Sequence, residues 1–279
     1  MTDPTLNDVR KVVGAHGYGF QYAVIRRADE LLAQGLSIWV FEAAEFPVGA
    51  PERPIHVDFI LRDARPTVYL VAECKRADPA RANWCFFKAP YTWRSNTQGD
   101  ELVFQEVQYR PANVVTARPR TKRASLESTH LGIALRAGTK GDGIETGGSG
   151  INDATGQVLR AANGLIDVLF PSTTVVQHEG SAVFVPVIFT TARLWVAKGD
   201  LSAAHLSTGQ LPDDWGEMMS VPWLWYTYNQ SPALRHRLPS STSDDSFSGA
   251  LHAEYARTIA VVGPDGVDAF LRADLVSWL

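Results

Sequence analysis

Apolar positions change their spacing once within residues 18–75. In residues 18–34 they recur every three or four positions, which predicts a helix that ends at Gly35. Residues 36–47, 55–61 and 68–75 are apolar stretches separated by polar, proline-containing or glycine-containing turns, which is typical of β-strands. This part of the chain is therefore predicted to be a helix followed by a three-stranded meander.

The helical spacing returns at residues 154–169, and extended patterns follow at residues 183–189, 192–197 and 258–262. Helical and extended segments that alternate along one chain are typical of the α/β class. We therefore expect a single domain, residues 1–279, in which helices flank a central mixed β-sheet.

Residues 79–153 form a long insertion between the third predicted strand and the second predicted helix. A further strand is predicted at 102–109, and the six glycines within residues 138–150 predict a mobile loop. The insertion also contains a run of basic side chains: Arg118, Arg120, Lys122 and Arg123. This run could contact the phosphates of a nucleic acid or could be a solvated loop.

Composition excludes several classes of protein. Hydrophobic residues make up 45% and charged residues 20% of the 279 positions, which is ordinary for a globular protein. A net charge of −4 argues against coating of nucleic acid through bulk charge, although a local cleft could still bind it. Cys74 and Cys85 form neither a disulfide scaffold nor a zinc-binding pair. Without a signal-like N-terminus or a bilayer-length apolar run, we expect a cytoplasmic protein with no membrane partner.

Charged residues interrupt two predicted strands. Asp58 lies within an apolar stretch, and Glu73 and Lys75 end the next one. Because strand side chains alternate between faces, Glu73 and Lys75 share a face. If Leu61 pairs with Val68, Asp58 also lies on this face, on a diagonal from Glu73. Two carboxylates so placed could hold one hard divalent cation.

This set of residues suits phosphodiester hydrolysis. A bound Mg²⁺ or Mn²⁺ polarises the phosphoryl oxygen and acidifies water, while Lys75 can orient that water and stabilise developing negative charge. The backbone carbonyl of Cys74 could supply a further hard ligand, and Glu42 or Glu45 of the first strand could add another acid. The alternative is a wetted sheet face on which these charges have no chemical role.

The order of these elements and charges resembles the PD-(D/E)XK superfamily of restriction-endonuclease-like nucleases. The matching segments are Val57-Asp58-Phe59-Ile60-Leu61 and Val71-Ala72-Glu73-Cys74-Lys75. The proline that names the motif is absent before Asp58. The resemblance covers residues 15–76 and 154–197 and leaves the insertion unexplained.

The resemblance implies a restriction-endonuclease-like core and a Mg²⁺- or Mn²⁺-dependent deoxyribonuclease, with a role in restriction or phage defence. It implies that Asp58 and Glu73 bind the metal and that Lys75 assists the water. Gln21 and Gln157 match positions that support the site in this superfamily. A homodimer, or control by an activating partner or ligand, is compatible with it.

A catalytically silent module of the same fold, which binds nucleic acid or protein, is the alternative function. Silent members usually lose the carboxylates or the lysine. All three positions are filled here, which favours an enzyme.

Overall fold

The computed structural model describes residues 5–49, 54–65, 67–89, 101–110, 114–123, 128–135, 149–171, 179–230 and 255–278. These residues form two mixed β-sheets flanked by helices, which confirms the expected α/β class. Residues 138–148, most of the predicted mobile loop, lie outside the described ranges. No helix within those ranges is long and apolar enough to cross a membrane.

The helices are α1 (Leu6–His16), α2 (Tyr18–Ala33), α3 (Ser149–Leu169), α4 (Val267–Arg272) and α5 (Leu275–Trp278). The first six strands are β1 (Val40–Val48), β2 (Ile55–Arg62), β3 (Val68–Lys75), β4 (Asn83–Phe87), β5 (Glu101–Arg110) and β6 (Val114–Arg123). The other six are β7 (Leu131–Leu135), β8 (Gly180–Thr190), β9 (Arg193–Gly199), β10 (Gly216–Val221), β11 (Trp223–Asn229) and β12 (Ala256–Val262).

The larger sheet contains the order β1-β2-β3-β8-β12-β11. β1, β2 and β3 form the predicted antiparallel meander, and β8 runs parallel to both β3 and β12. Residues 187–189 of β8 pair with β12, whereas residues 180–184 pair with β5, which in turn pairs with β6. β8 therefore pairs with β3 along one edge and with β5 and β12 along the other.

Helices α2 and α3 cover opposite faces of this sheet. Leu31 of α2 lies in one buried cluster with Phe59 of β2, whereas Leu165 of α3 lies in another with Val71 of β3. Full burial of such side chains stabilises the fold by about 1.5–3 kcal/mol each. Because side chains of β3 alternate, Val71 and Glu73 share a face, so α3 lies on the face that carries the predicted site.

The hairpin between β2 and β3 has a different register from the one considered above. Leu61 pairs with Leu70 rather than with Val68. The turn explains the difference, because the Asp63 carboxylate accepts backbone hydrogen bonds from Thr67 and Val68 at 2.6 and 2.8 Å. These bonds hold Thr67 and Val68 in the turn, so the pairing of β3 with β2 starts at Tyr69. A shift by two positions keeps every side chain on its face.

The smaller sheet has the order β10-β9-β4-β7. β4 comes from the insertion and runs parallel to β9, and β7 pairs with β4. Trp84 and Phe86 of β4 are buried in a cluster with residues of α3, β9 and β11. The described part of the insertion therefore contributes strands to both sheets.

Candidate functional site

The meander brings Asp58, Glu73 and Lys75 together on the α3 face. The last pair of the β2–β3 register is Phe59 with Ala72, and Asp58 and Glu73 are the next positions on the two strands. The Lys75 Nζ lies 3.1 Å from the Glu73 Oε1.

The Asp58 carboxylate takes the place of a strand carbonyl. Its Oδ2 accepts a hydrogen bond of 2.6 Å from the backbone N–H of Cys74, where the backbone pairing of β2 with β3 ends. The sheet thus fixes one oxygen of this carboxylate. Cys74 itself pairs with Phe189 of β8, and the metal-binding role of its carbonyl stays a prediction.

Burial and mutual repulsion make the two carboxylates unusually basic. The Glu73 side chain is 8% exposed. Burial, and then the charge of Asp58, raise the pKa of Glu73 to about 7, although Lys75 acts in the opposite direction. Burial also raises the pKa of Asp58, against the backbone N–H of Cys74. Ionising both acids therefore costs free energy that a nearby cation would offset.

Hard carboxylate oxygens fit Mg²⁺ or Mn²⁺, which take oxygen ligands and are commonly held by one or two carboxylates, waters and substrate phosphates. No group of three acidic, histidine or cysteine side chains within the described ranges has the spacing of a metal site. Asp58 and Glu73 would hold such an ion together with water, substrate oxygens or a backbone carbonyl such as that of Cys74.

A third acid borders the site. The buried side chain of Gln21 in α2 donates from Nε2 to Glu45 Oε1 and to the backbone carbonyl of Asp58, both at 2.8 Å. Glu45 lies on β1 between Ala44 and Phe46, whose partners on β2 flank Asp58, and it has a left-handed φ of 51°. Its charge contributes to the raised pKa of Asp58.

Two other candidate residues are the acid Glu42 and the amide Gln157. Glu42 forms an ion pair with Arg62, and this contact does not connect Glu42 to Asp58, Glu73 or Lys75. Gln157 is exposed on α3, and its supporting role stays a prediction. Arg160, which the sequence did not single out, lies on the same helix, and its charge opposes the rise in the pKa of Glu73. The effect of Arg160 on Glu73 follows from the packing of α3 on the sheet, which the sequence pattern does not indicate.

The basic run lies on β6 rather than in a loop. Arg118 and Arg120 form ion pairs of 2.7 and 3.1 Å with Glu106 of β5, whose side chain is 2% exposed. The side chains of Lys122 and Arg123 lie outside the described part of the structure. Two of the four predicted phosphate-binding charges are thus held by a buried acid, and the nucleic-acid role of the run stays a prediction.

No protein-family model, curated protein or solved structure matches the chain. Assignment of a function therefore depends on the chemistry and geometry of the site.

Proposed function

We propose that this chain is a metal-dependent nuclease with a restriction-endonuclease-like core, and that it hydrolyses phosphodiester bonds of DNA. The carrying observation is that Asp58 and Glu73 follow the last paired positions of two neighbouring strands, with Lys75 Nζ 3.1 Å from Glu73 Oε1. The arrangement combines the two hard-oxygen ligands and the cationic group that such hydrolysis uses.

Burial argues against the wetted-face alternative. The Glu73 side chain is 8% exposed, so solvent does not support its charge. A structural ion pair with Lys75 would account for Glu73 alone. It would not account for Asp58, the partly buried acid on the neighbouring strand, whose charge raises the pKa of Glu73. Placing two acids together costs stability, and such sites are enriched in function.

Each residue has a defined task in this proposal. When bound, the divalent cation supplies Lewis-acid polarisation of the phosphoryl group and of the attacking water. Asp58, held by the Cys74 N–H, and Glu73 would hold the ion, while Lys75 would orient the water and stabilise developing charge. Gln21 keeps the Asp58 backbone and the Glu45 carboxylate in place. The choice of DNA, and a role in restriction or phage defence, rest on the resemblance.

Cleavage of plasmid and linear DNA tests the proposal directly. The wild-type protein, Lys75→Ala and the control Lys198→Ala, which changes an exposed lysine of β9, would each be assayed with Mg²⁺, Mn²⁺ or EDTA. We expect cleavage that needs the metal, is lost in Lys75→Ala and is retained in Lys198→Ala. Cleavage that persists in EDTA or in Lys75→Ala would contradict the proposed mechanism.

Calorimetric titration of Mn²⁺ tests the metal site independently of turnover. Binding heat in the wild type should disappear in Asp58→Ala/Glu73→Ala and persist in Glu217→Ala, which removes an exposed acid of β10. Equal heats in all three proteins would mean that no metal binds here. Binding that depends on Asp58 and Glu73, without any cleavage, would favour the catalytically silent alternative.

A further inference from the structure

A cavity of about 580 Å³ opens where the two sheets meet. Its walls come from β4 and β7 of the smaller sheet, from β11 of the larger sheet and from the N-terminal part of α3. Just before β7, Thr129 forms a β-bridge with Tyr226 of β11. The next residue, His130, donates its backbone N–H to the carbonyl of Phe87 in β4 at 2.9 Å. The walls are thus tied together, and the volume lies within the roughly 300–1,000 Å³ typical of small-molecule sites.

Aromatic side chains from both sheets line this cavity: Phe87, Tyr226 and Tyr228. The ring of Tyr226 lies edge to face with Phe86 at a centroid distance of 5.3 Å, and 6.0 Å from the ring of Tyr228. Phe87 stacks on Trp215 at 6.1 Å. Neighbouring rings therefore hold the aromatic walls in place before any ligand enters, which lowers the entropy cost of binding a flat molecule against them.

The polar part of the lining includes two carboxamides, Asn152 of α3 and Asn229 at the end of β11. No side-chain hydrogen bond joins either carboxamide to another residue of the described ranges. A carboxamide offers one acceptor and two donors, which match the edges of nucleobases. The described residues that line the cavity include no lysine, arginine, aspartate or glutamate, so an ionic ligand would find no counter-charge of that kind.

We propose that this cavity binds the base of a nucleoside. The aromatic rings stack on the faces of the base, and the two carboxamides form hydrogen bonds with its edge. A nucleobase meets both conditions because it is flat, uncharged and bordered by donors and acceptors. None of Asp58, Glu73 and Lys75 lines the cavity, so this site is separate from the proposed catalytic one and goes beyond the nuclease proposal.

Calorimetric titration of the full chain tests this inference, with adenosine, guanosine, cytidine and uridine as probes. Ribose and adenosine 5′-monophosphate serve as comparison ligands. The variants are Tyr228→Ala, Asn152→Ala and Asn229→Ala. Matched controls are Tyr22→Ala and Asn7→Ala, which change exposed residues of α2 and α1. Thermal unfolding of each variant would check that the fold is retained.

We expect at least one of the four nucleosides to bind and ribose not to bind. Tyr228→Ala should weaken binding of that nucleoside by about tenfold, the size of one lost stacking contact. Asn152→Ala and Asn229→Ala should each weaken it by about fivefold, as expected for one lost hydrogen bond, and should alter the preference among the four bases. Both control variants should bind like the wild type.

Failure of all four nucleosides to bind the wild type would overturn this inference. Unchanged affinity in Tyr228→Ala and Asn152→Ala would also overturn it, and the exposed position of Asn152 keeps the second variant informative if the first unfolds. Tighter binding of the 5′-monophosphate than of adenosine would contradict an uncharged ligand. Binding should persist in Asp58→Ala/Glu73→Ala, and its loss there would place the nucleoside at the catalytic site instead.

Discussion

The carboxylate of Asp58 accepts its hydrogen bond from the backbone N–H of Cys74, the residue between Glu73 and Lys75. This bond joins β2 to β3 at the point where their backbone pairing ends. The orientation of Asp58 and the spacing of the other two residues therefore depend on each other. Substitutions at Asp58 should separate its structural contribution from its charge.

Asp58→Asn keeps an oxygen that can accept the Cys74 hydrogen bond and removes the charge, whereas Asp58→Ala removes both. We expect each variant to lose at least about 100-fold in Mn²⁺ affinity, of the order seen when metal sites are disturbed. Only Asp58→Ala should also lose about 1–3 kcal/mol of unfolding free energy, because the Cys74 N–H is left without its acceptor. Calorimetry and urea unfolding would measure both effects. Mn²⁺ binding by Asp58→Asn at wild-type affinity would be inconsistent with this role.

Glu73 should make the metal-free protein less stable as the pH rises. Its pKa is raised from 4.5 to about 7 on folding, so between these values the folded chain holds more protons than the unfolded chain. The contribution of Glu73 to stability therefore falls from about pH 4.5 to about pH 7 and is constant above that. We expect Glu73→Gln to be more stable than the wild type at pH 8 in EDTA, by about 3 kcal/mol.

Urea unfolding of Glu73→Gln and of the wild type across pH 4.5–8 would check this expectation. The gap between them should narrow toward acid pH, because the protonated carboxyl resembles the amide. Added Mn²⁺ should raise the stability of the wild type alone, since the ion binds only the ionised site. If the unfolding free energies of the two proteins changed in parallel with pH, the pKa of Glu73 would not be raised by its burial.

Gln21 should act as a positioning residue. Its Nε2 holds Glu45 and the Asp58 backbone, so Gln21→Ala should lower stability by about 1–3 kcal/mol and lower the rate of cleavage. Gln21→Glu would place a carboxylate beside Glu45, and its loss of stability should be larger at pH 8 than at pH 5. Gln34→Ala, at an exposed position, is the matched control. A flat pH response in Gln21→Glu would argue against the contact with Glu45.

Arg118 and Arg120 should matter for stability as well as for any contact with nucleic acid. Removing both leaves the buried Glu106 carboxylate without its counter-charges. We expect Arg118→Ala/Arg120→Ala to lose about 2 kcal/mol of unfolding free energy, a value reduced because both arginines are partly exposed. Adding Glu106→Gln to this pair should recover most of the loss. An additive, further loss in the triple variant would contradict the pairing.

The elements that the sequence predicted are those whose local residue pattern determines their secondary structure. Helix α2 follows from local apolar spacing because it buries one continuous face. Strands β2, β3 and β8 follow from it because each buries one or both of its faces. The shared face of Asp58 and Glu73 was also predictable, since a register change by two positions preserves it. The turn contacts of Asp63 that set the actual register depend on tertiary geometry.

The remainder depends on contacts between distant parts of the chain. Helix α1 was not predicted because its apolar residues, such as Leu6 and Val12, are exposed and form no inward stripe. The smaller sheet was missed because its central parallel pair joins β4 to β9, far apart in sequence. The sequence offered Glu42 or Glu45 as a further acid, but the strand irregularity near Phe41 that sets the position of Glu45 has no signal in the residue pattern.

The position of β8 in the sheet has a consequence for biosynthesis. Asp58, Glu73 and Lys75 leave the ribosome long before residues 180–190, yet β3 has only one paired edge until β8 arrives. A pairing between such distant segments forms slowly. Nascent chains thus contain Asp58, Glu73 and Lys75 in an unfinished sheet until residues 180–190 have been made. Synthesis itself would then delay activity until β8 has paired with β3.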